Sequence, residues 1–350
     1  MNWYSIESID TAIKRTSKTL FKPFDFWKWI KLGIIIIVSG GGFSGFNFNP
    51  GTFNKPAADM NMDAPLTEGM PSTQEIIDQI TQFWHQYQTY ILIGLVIIIF
   101  ITLLFTLISS IMQFVFVEAL VTNKVTIIAN FKKYLRPGFN LFIIQTILGL
   151  FFLSLFILAM LSVVLPMLQS PAIITFGSIL SGIFWFMIVA IVLALISGII
   201  YSLINLSIPL VMYDQTGLIE AIKKILGRAS ADRKQIVVYW IMRALLWLVA
   251  AIIMGIAALI IFILLAIVII LVGLILYFIL SSLGLGTGNI LFWTVMIIYG
   301  LVALIPLIVL MLLVSVPVPV FMKSHMLIFL QSWYQDATIP FFDAKESREI

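Results

Sequence analysis

The sequence predicts an all-α protein, a polytopic bundle of transmembrane helices. Of its 350 residues, 61% are hydrophobic and only 10% are charged, whereas charged residues make up about a quarter of an ordinary soluble domain. Two stretches, 137–213 and 244–322, contain no Asp, Glu, Lys or Arg. The segment 258–279 is apolar on every face, while the strands of a transmembrane β-barrel alternate apolar and polar residues. These observations exclude a soluble fold and a β-barrel.

The uncharged stretches also predict how the helices pair. They are 77 and 79 residues long, and one spanning helix needs about 20 apolar residues. Each stretch therefore holds two spans and a turn, a helical hairpin. Together with the other hydrophobic segments this gives six spans, at 26–43, 89–117, 138–166, 174–212, 236–281 and 290–322. If the fifth segment folds as two helices, the count becomes seven.

The distribution of Lys and Arg predicts the orientation, because short cytoplasmic loops carry an excess of both residues. Three segments, 1–31, 119–137 and 213–235, hold 15 of the 20 basic residues. The loop 44–88 has Lys55 alone against five acidic residues. We therefore expect a multi-pass protein of the cell membrane with that loop outside and both termini in the cytoplasm.

These expectations describe a single integral membrane domain over residues 1–350. Within it, 1–25 forms an interfacial helix, 44–88 is the outer loop and 323–350 is an inner tail. The end of the outer loop, 73–87, has helical character, with an acidic residue in its first turn.

The basic segments resemble one another. Residues 127–135 (IIANFKKYL) align without gaps on 218–226 (LIEAIKKIL), and 12–15 (AIKR) match 221–224 (AIKK). All three copies precede a hydrophobic span. The predicted repeat is an amphipathic helix on the inner surface, a span outward and a span back, so that three units account for six spans.

Basic residues at matching positions of the three copies are the candidate contacts for membrane lipid or for a partner protein. Amphipathic helices bury an apolar face in the headgroup region, and anionic lipid attracts each lysine near the surface by about 1 kcal/mol. In the first copy, Ile6, Ile9, Ile13 and Leu20 lie on one side. The alternative is that these segments are ordinary cytoplasmic linkers. The candidate residues are Lys14, Arg15, Lys132, Lys133, Lys223 and Lys224.

A second set of charged residues lies within or at the ends of the spans. Arg243 stands eight residues into the fifth apolar segment, and a cation inside a span is a functional candidate by default. Glu118 and Asp214 stand where return spans reach the inner surface. Arg243 either snorkels to the membrane surface or pairs with Asp214 or Glu118, or the three residues form part of a solute or ion pathway. The two acids are alternatively solvated helix ends.

Small residues and prolines predict local features of the spans. Gly198 in the fourth span and Gly255 in the fifth belong to stripes of small residues, which allow close helix packing in lipid. Pro317 and Pro319 should loosen the inner end of the last span, because proline removes a helix hydrogen bond.

No motif indicates catalysis, and we expect neither enzymatic activity nor a cofactor. The absence of cysteine excludes thiolate metal sites and cysteine nucleophiles. The glycine-rich segment 284–288 lacks the lysine and the βαβ context of a nucleotide loop. His85 and His325 are predicted on opposite sides of the membrane, so we expect no metal site. Nothing in the sequence indicates nucleic-acid binding.

Two segments carry a resemblance to known families. Residues 3–6 (WYSI) and 21–32 (FKPFDFWKWIKL), with the glycines that follow, resemble an uncharacterised family of archaeal multi-pass membrane proteins. Residues 208–214 (IPLVMYD), followed by Gly217 and 221–224, look like the membrane domain found beside some glycerophosphodiester phosphodiesterases. The resemblance implies an archaeal plasma membrane location and the same architecture. It implies no activity, and that enzyme's chemistry is not carried over because the chain lacks its soluble domain.

Two functions follow as expectations. The first is a non-enzymatic membrane protein that organises lipid or a partner protein through its basic inner helices, with a membrane protein or a second copy as that partner. The alternative is a transporter or channel for a small or amphiphilic solute. The scarcity of charge within the spans favours the first, because pathways for polar solutes place several polar side chains inside the membrane.

Overall fold

A computed structural model describes residues 3–40, 73–169 and 176–343. All the regular structure of these residues is helical, which confirms the all-α prediction. The helices are α1 (Tyr4–Phe21), α2 (Phe26–Val38), α3 (Thr73–Thr122), α4 (Ile127–Lys133), α5 (Leu135–Gln169), α6 (Phe176–Tyr213), α7 (Leu218–Ala231), α8 (Arg233–Ser282), α9 (Ile290–Val314) and α10 (Pro317–Trp333).

Five of the described helical segments are long and apolar enough to cross a membrane. They are Thr81–Thr122, Leu135–Pro166, Leu180–Tyr213, Arg233–Ser282 and Ile290–Trp333. They correspond to the second to sixth predicted spans. The first predicted span contains α2, which has 13 residues and a length of about 20 Å. That is shorter than the hydrocarbon layer of about 30 Å, so a count of six is not confirmed.

The fifth predicted span is one helix. Residues 233–282 form α8 without a break, so the alternative in which this segment makes two helices is wrong. Its 50 residues extend about 75 Å, more than twice the thickness of the hydrocarbon layer. The reason is local: the segment has no proline and no polar residue that would favour a turn.

The prolines after α9 have a different effect from the predicted loosening. The helix ends at Val314, and a new helix begins at Pro317 after two residues. Proline is favoured in the first turn of a helix because its missing N–H has no helical partner there. Consequently α10 begins before the boundary of the predicted inner tail and includes its first eleven residues, 323–333.

The chain divides into two compact units. Unit 1 comprises Met1–Gly45, Ser109–Gly138 and Leu203–Ile350, and unit 2 comprises Phe46–Ile108 and Phe139–Ser202. In unit 2, Phe156 of α5 packs edge to face on Phe186 of α6. All the candidate site residues of the sequence analysis lie in unit 1.

Helix α10 is the centre of unit 1, because it is buried around most of its circumference. Its buried residues include the charged Lys323, the polar Ser324 and His325, and the large Phe329 and Trp333. Helices α1 and α8 both pack against it. The core of the unit is therefore built around the last helix of the chain.

Helix α1 divides its circumference between three kinds of side chain. The face that contains Ser5, Ser8, Ala12, Thr16 and Thr19 is buried. These residues recur at spacings of three and four, which places them on one side of a helix, and small side chains permit a close approach between helices.

The other faces of α1 are exposed. Ile6 and Ile13, on the predicted apolar side, are 47% and 54% exposed. Asp10 and Lys14 form an exposed ion pair. The isoleucine face is therefore available to the membrane, because unit 1 does not bury it.

Short helix connections fix α2 beside α1. The Asp25 carboxylate accepts a hydrogen bond from the Lys28 backbone N–H and caps α2. The Trp29 indole N–H donates to the Leu20 carbonyl at 2.7 Å. Gly33 lies against the Leu312 side chain of α9, where a Cβ would overlap.

The bounds of four helices agree with the proposed repeat register. Helix α3 ends at Thr122 and α4 begins at Ile127, while α6 ends at Tyr213 and α7 begins at Leu218. The corresponding bounds are 91 residues apart, as in the ungapped alignment. This agreement concerns two of the three copies and does not by itself establish a repeat.

Small residues mark close helix packing at fewer places than the sequence predicts. A Cβ added at Gly198 or Gly255 would meet no atom within 4 Å, so the expected close approach within the chain is wrong at these two positions. A close approach occurs instead at Gly138 of α5, where a Cβ would lie 2.8 Å from the Ile111 Cα of α3. The contact depends on the backbone of a distant helix, which spacing alone does not reveal.

We predict that Gly138→Ala lowers the free energy of unfolding by about 1–3 kcal/mol, because the new methyl group meets backbone and α3 has to move. Thermal unfolding of the protein in detergent, followed by circular dichroism, measures the effect. Gly149→Ala is the matched control on the same helix, since a Cβ there meets nothing within 4 Å. Equal unfolding temperatures for the two variants would contradict the assigned α3–α5 contact.

Candidate functional site

The six basic candidates of the repeat fall into two sets. Lys14, Lys132 and Lys223, at equivalent positions of the three copies, are all exposed. The residues that follow them each form an ion pair: Arg15 with Asp343, Lys133 with Glu118 and Lys224 with Glu220. Lys14 also forms an exposed ion pair with Asp10. The exposed set is therefore accessible to lipid or a partner, and at least part of the second set has a structural role.

Arg15 holds the C-terminal segment against α1. Its Nη2 and Nε donate to the two carboxylate oxygens of Asp343 at 2.6 and 3.2 Å. The two side chains are only 9% and 14% exposed. The guanidinium carbon also lies 3.6 Å from the centre of the Phe341 ring. The Arg15 guanidinium therefore makes both an ion pair and a cation–π contact with the C-terminal segment.

The residues after α10 are packed into unit 1. Ala337, Ile339 and Phe341 are buried, and the Phe342 backbone N–H donates to the Val121 carbonyl at the end of α3. The described part of the predicted inner tail is therefore a packed strap that joins α1 to α3.

Glu118 links the ends of three helices. Its carboxylate accepts from Lys133 Nζ of α4 at 2.9 Å and from the Tyr213 hydroxyl of α6 at 3.0 Å. The hydrogen bond with Tyr134, supported by that with Glu118, raises the pKa of Lys133 above its ordinary value despite partial burial. Glu118 is therefore a junction between α3, α4 and α6 rather than a solvated helix end.

Asp214 lies in the connection between α6 and α7. Burial raises the pKa of its carboxyl above the ordinary value, Lys224 opposes the shift and Asp336 adds to it. Among the described residues, neither Asp214 nor Glu118 forms an ion pair with Arg243. The structure does not bring the three candidates of the second set together.

Arg243 contacts neutral oxygen atoms instead. It lies ten residues after the start of α8, about 15 Å along the helix. Its Nη1 donates to the Tyr239 hydroxyl at 3.1 Å and to the Met322 carbonyl of α10 at 3.2 Å. These bonds fix the guanidinium to α10, directly before Lys323.

Lys323 is a second cation at this place, and the sequence analysis did not single it out. It is 8% exposed, and its Nζ donates to Asn205 Oδ1 of α6 at 3.2 Å. The available signal was its position, since Lys323 is the first charged residue after the 79-residue uncharged stretch.

His325 completes the arrangement and was considered in the sequence only as a metal ligand. It is fully buried. Its Nε2 lies 2.9 Å from the Ser5 carbonyl of α1. Because a carbonyl only accepts, Nε2 carries the proton. The ring is parallel to that of Tyr239 at 6.2 Å.

We call Arg243, Lys323, His325, Tyr239 and Asn205 the cationic cluster. It lies where α6, α8 and α10 meet, and His325 connects it to α1. Over the described ranges, no carboxylate is within ion-pair distance of Arg243 or Lys323, and no group of residues has the composition of a metal site. The cluster is therefore a positively charged polar site within apolar helices.

The helices and the polar residues among them define the class: an all-helical protein with several segments able to cross a membrane. Within that class, the chain belongs to a family of unknown function, DUF7544, whose match covers residues 3–339. No curated protein and no solved structure matches the chain. The comparisons show neither an archaeal origin nor a link to glycerophosphodiester phosphodiesterases.

We predict that breaking the Arg15–Asp343 pair lowers the free energy of unfolding by about 2–4 kcal/mol, because one buried charge is left without a partner. Asp343→Asn and Arg15→Met, measured singly and together by thermal unfolding in detergent, give the coupling energy.

The control is the neighbouring exposed pair. The Lys14 and Asp10 side chains are each 73% exposed, so Lys14→Met and Asp10→Asn should cost about 0–1 kcal/mol. A coupling energy for Arg15 and Asp343 no larger than that of the exposed pair would contradict the clamp.

Proposed function

We propose that this protein is a non-enzymatic membrane protein that organises anionic lipid at the cytoplasmic surface through the basic helices α1, α4 and α7. The observation that carries the proposal is the common exposure of Lys14, Lys132 and Lys223. A partner protein with an acidic surface, either another membrane protein or a second copy, is the other ligand that these residues suit. The proposal includes no cofactor and no metal.

Exposed apolar residues of α1 and of the start of α2 support membrane contact. In addition to the isoleucine face of α1, Phe24 and Trp27 at the start of α2 are 59% and 68% exposed. Tryptophan is enriched at membrane interfaces, where its ring spans the boundary between hydrocarbon and water. Apolar side chains and lysines on one surface are the combination by which helices attach to anionic membranes.

A contact between α2 and the end of α3 supports a topology with six crossings. Lys28 at the start of α2 donates to Asn123, just after the end of α3, at 2.6 Å. The start of α2 and the end of α3 therefore lie together. Between α2 and Thr73 the chain has to reach the opposite end of α3, where that helix begins. We propose that 26–43 begins this first crossing and that the basic ends face the cytoplasm of the cell.

We also propose that the chain is built from three repeats, each an amphipathic helix followed by two helices that cross the membrane: α1 to α3, α4 to α6, and α7 to α9. The shared bounds of α3–α4 and α6–α7 support this, as does the matching exposure of the three lysines. Helix α10 then follows the third repeat and packs on α1, the first helix of the first repeat.

The cationic cluster favours a second function, transport of an anionic or amphiphilic solute. Arg243 and Lys323 are held inside otherwise apolar helices, where charged residues commonly mark a substrate pathway. Uptake of a solute into proteoliposomes that disappears in Arg243→Gln would establish this function in place of the first.

We predict that replacing Lys14, Lys132 and Lys223 together by Gln weakens the association of phosphatidylglycerol with the reconstituted protein by about tenfold or more, because each lysine contributes about 1 kcal/mol near the surface. Association of spin-labelled phosphatidylglycerol relative to phosphatidylcholine measures the change. The triple Arg variant keeps the charge and should retain the preference. Loss of the preference in both triple variants, or in neither, would refute the role of these charges.

We predict that Thr287→Cys, in the turn after α8, reacts with a membrane-impermeant maleimide on intact cells. Lys132→Cys and Lys223→Cys should react only after permeabilisation, because they lie on the cytoplasmic side. The sequence has no cysteine, so each variant carries one reactive thiol. Labelling of all three positions on the same side would show that the proposed topology is wrong.

A further inference from the structure

The cationic cluster holds two basic side chains, Arg243 and Lys323, and none of the described carboxylates lies within ion-pair distance of either. The Arg243 charge acts on both Lys323 and His325, so the groups are close enough to repel one another. Removing an ion from water costs several kcal/mol unless a partner of opposite charge or good hydrogen bonds compensate. The neutral oxygen atoms of Tyr239, Met322 and Asn205 supply only part of that compensation.

Both cations keep donor capacity after their contacts are made. An ammonium has three N–H groups, and Lys323 uses one toward Asn205. A guanidinium has five, and Arg243 uses Nη1 toward Tyr239 and Met322. The remaining guanidinium N–H groups have the fork geometry that matches the oxygens of a phosphate or carboxylate.

Next to Lys323, two further buried groups have no hydrogen-bond partner among the described residues. They are Ser324 Oγ and His325 Nδ1, on side chains that are 1% and 0% exposed. Buried polar groups in native proteins are nearly always hydrogen-bonded. The Ser324 hydroxyl can therefore donate to a polar group that the chain itself does not provide, whereas His325 Nδ1 can only accept, because the proton is on Nε2.

Simple extension of the two side chains to the membrane surface does not explain the arrangement. A snorkelling arginine places its charged end in the headgroup region, whereas Arg243 is bonded to the backbone of α10, the most buried helix of the unit. Lys323 is likewise bonded to α6. The contacts of α8 and α6 with α10 therefore hold Arg243 and Lys323 at a fixed place.

We infer that the cationic cluster binds one phosphate group, either the headgroup of an anionic lipid or a free phosphate. A phosphate group fits this place because its oxygens can accept from both Arg243 and Lys323, and free phosphate can also carry two negative charges. The site is saturable and lies between α6, α8 and α10. It goes beyond the surface attraction proposed above, because it does not involve the exposed lysines.

Two probes test this site on the full-length protein. Native mass spectrometry after nanodisc reconstitution counts retained phosphatidylglycerol against phosphatidylcholine, and a thermal-shift titration in neutral detergent measures the binding of inorganic phosphate. We expect saturable binding of one or both probes. Arg243→Gln and Lys323→Met should each weaken it by about tenfold or more, since each removes a charge-assisted hydrogen bond. Lys31→Met, on an exposed side chain of α2, is the matched control and should bind as the wild type does.

Stability without ligand separates a binding role from a structural one. Lys323→Met removes an uncompensated buried charge and keeps the aliphatic stem, so its unfolding temperature without phosphate should equal or exceed that of the wild type. Arg243→Lys keeps the charge but lacks the planar guanidinium, so it should bind phosphate with intermediate affinity. This variant tests the site if Lys323→Met does not fold.

The outcomes distinguish the sources of phosphate. Retention of lipid alone assigns a headgroup site, and a shift with inorganic phosphate alone assigns a solute site. Absence of saturable binding to both probes, or unchanged binding in both Arg243→Gln and Lys323→Met, would overturn the inference. The triple lysine variant should still bind phosphate at the cationic cluster. The proposed surface function can therefore fail while the phosphate site is confirmed, and the two results can be told apart.

Discussion

The burial of α10 is the constraint on which the rest of unit 1 depends. Most long-range polar contacts of the unit end on α10, on α1 that packs against it, or on the segment that follows it. Lys323 reaches α6, Arg243 reaches the α10 backbone, and His325 reaches α1. A helix that is buried around most of its circumference but carries Lys, Ser and His requires partners for these groups. The positions of α1, α6 and α8 follow from that requirement.

The fold class was predictable because it depends on composition along the chain and not on partners. Long uncharged stretches predict spanning segments whatever packs on them, and the described residues include five segments long and apolar enough to cross a membrane. The weaker prediction concerned helix ends. Pro317 interrupts a span when read by itself, yet in the structure it begins a helix because the first turn tolerates proline. Whether a proline ends or begins a helix depends on the residues after it, and these are the buried ones of α10.

The site was only partly predictable, for a physical reason that differs between residues. Exposed lysines at repeated positions are visible in the sequence, because exposure requires no partner. Arg243 stood out as a lone charge in a span, but its contacts with Tyr239 and Met322 are neutral and carry no sequence signature. Lys323 and His325 sit just beyond the last uncharged stretch and resemble residues of a solvated tail. Only the packing of α1 and α6 around them shows that they are buried.

The contact between α1 and the segment after α10 also sets an order of assembly. Arg15 and Asp343 are separated by 328 residues, and a ribosome adding about 5–20 residues per second needs roughly 15–65 s to make that interval. For most of this time α1 lacks α10, the main partner of its buried face. That face consists largely of serine, threonine and arginine, which remain hydrated without cost, while the isoleucine face can already rest in the membrane interface. The amphipathic character of α1 thus suits a helix whose main packing partner, α10, is made much later.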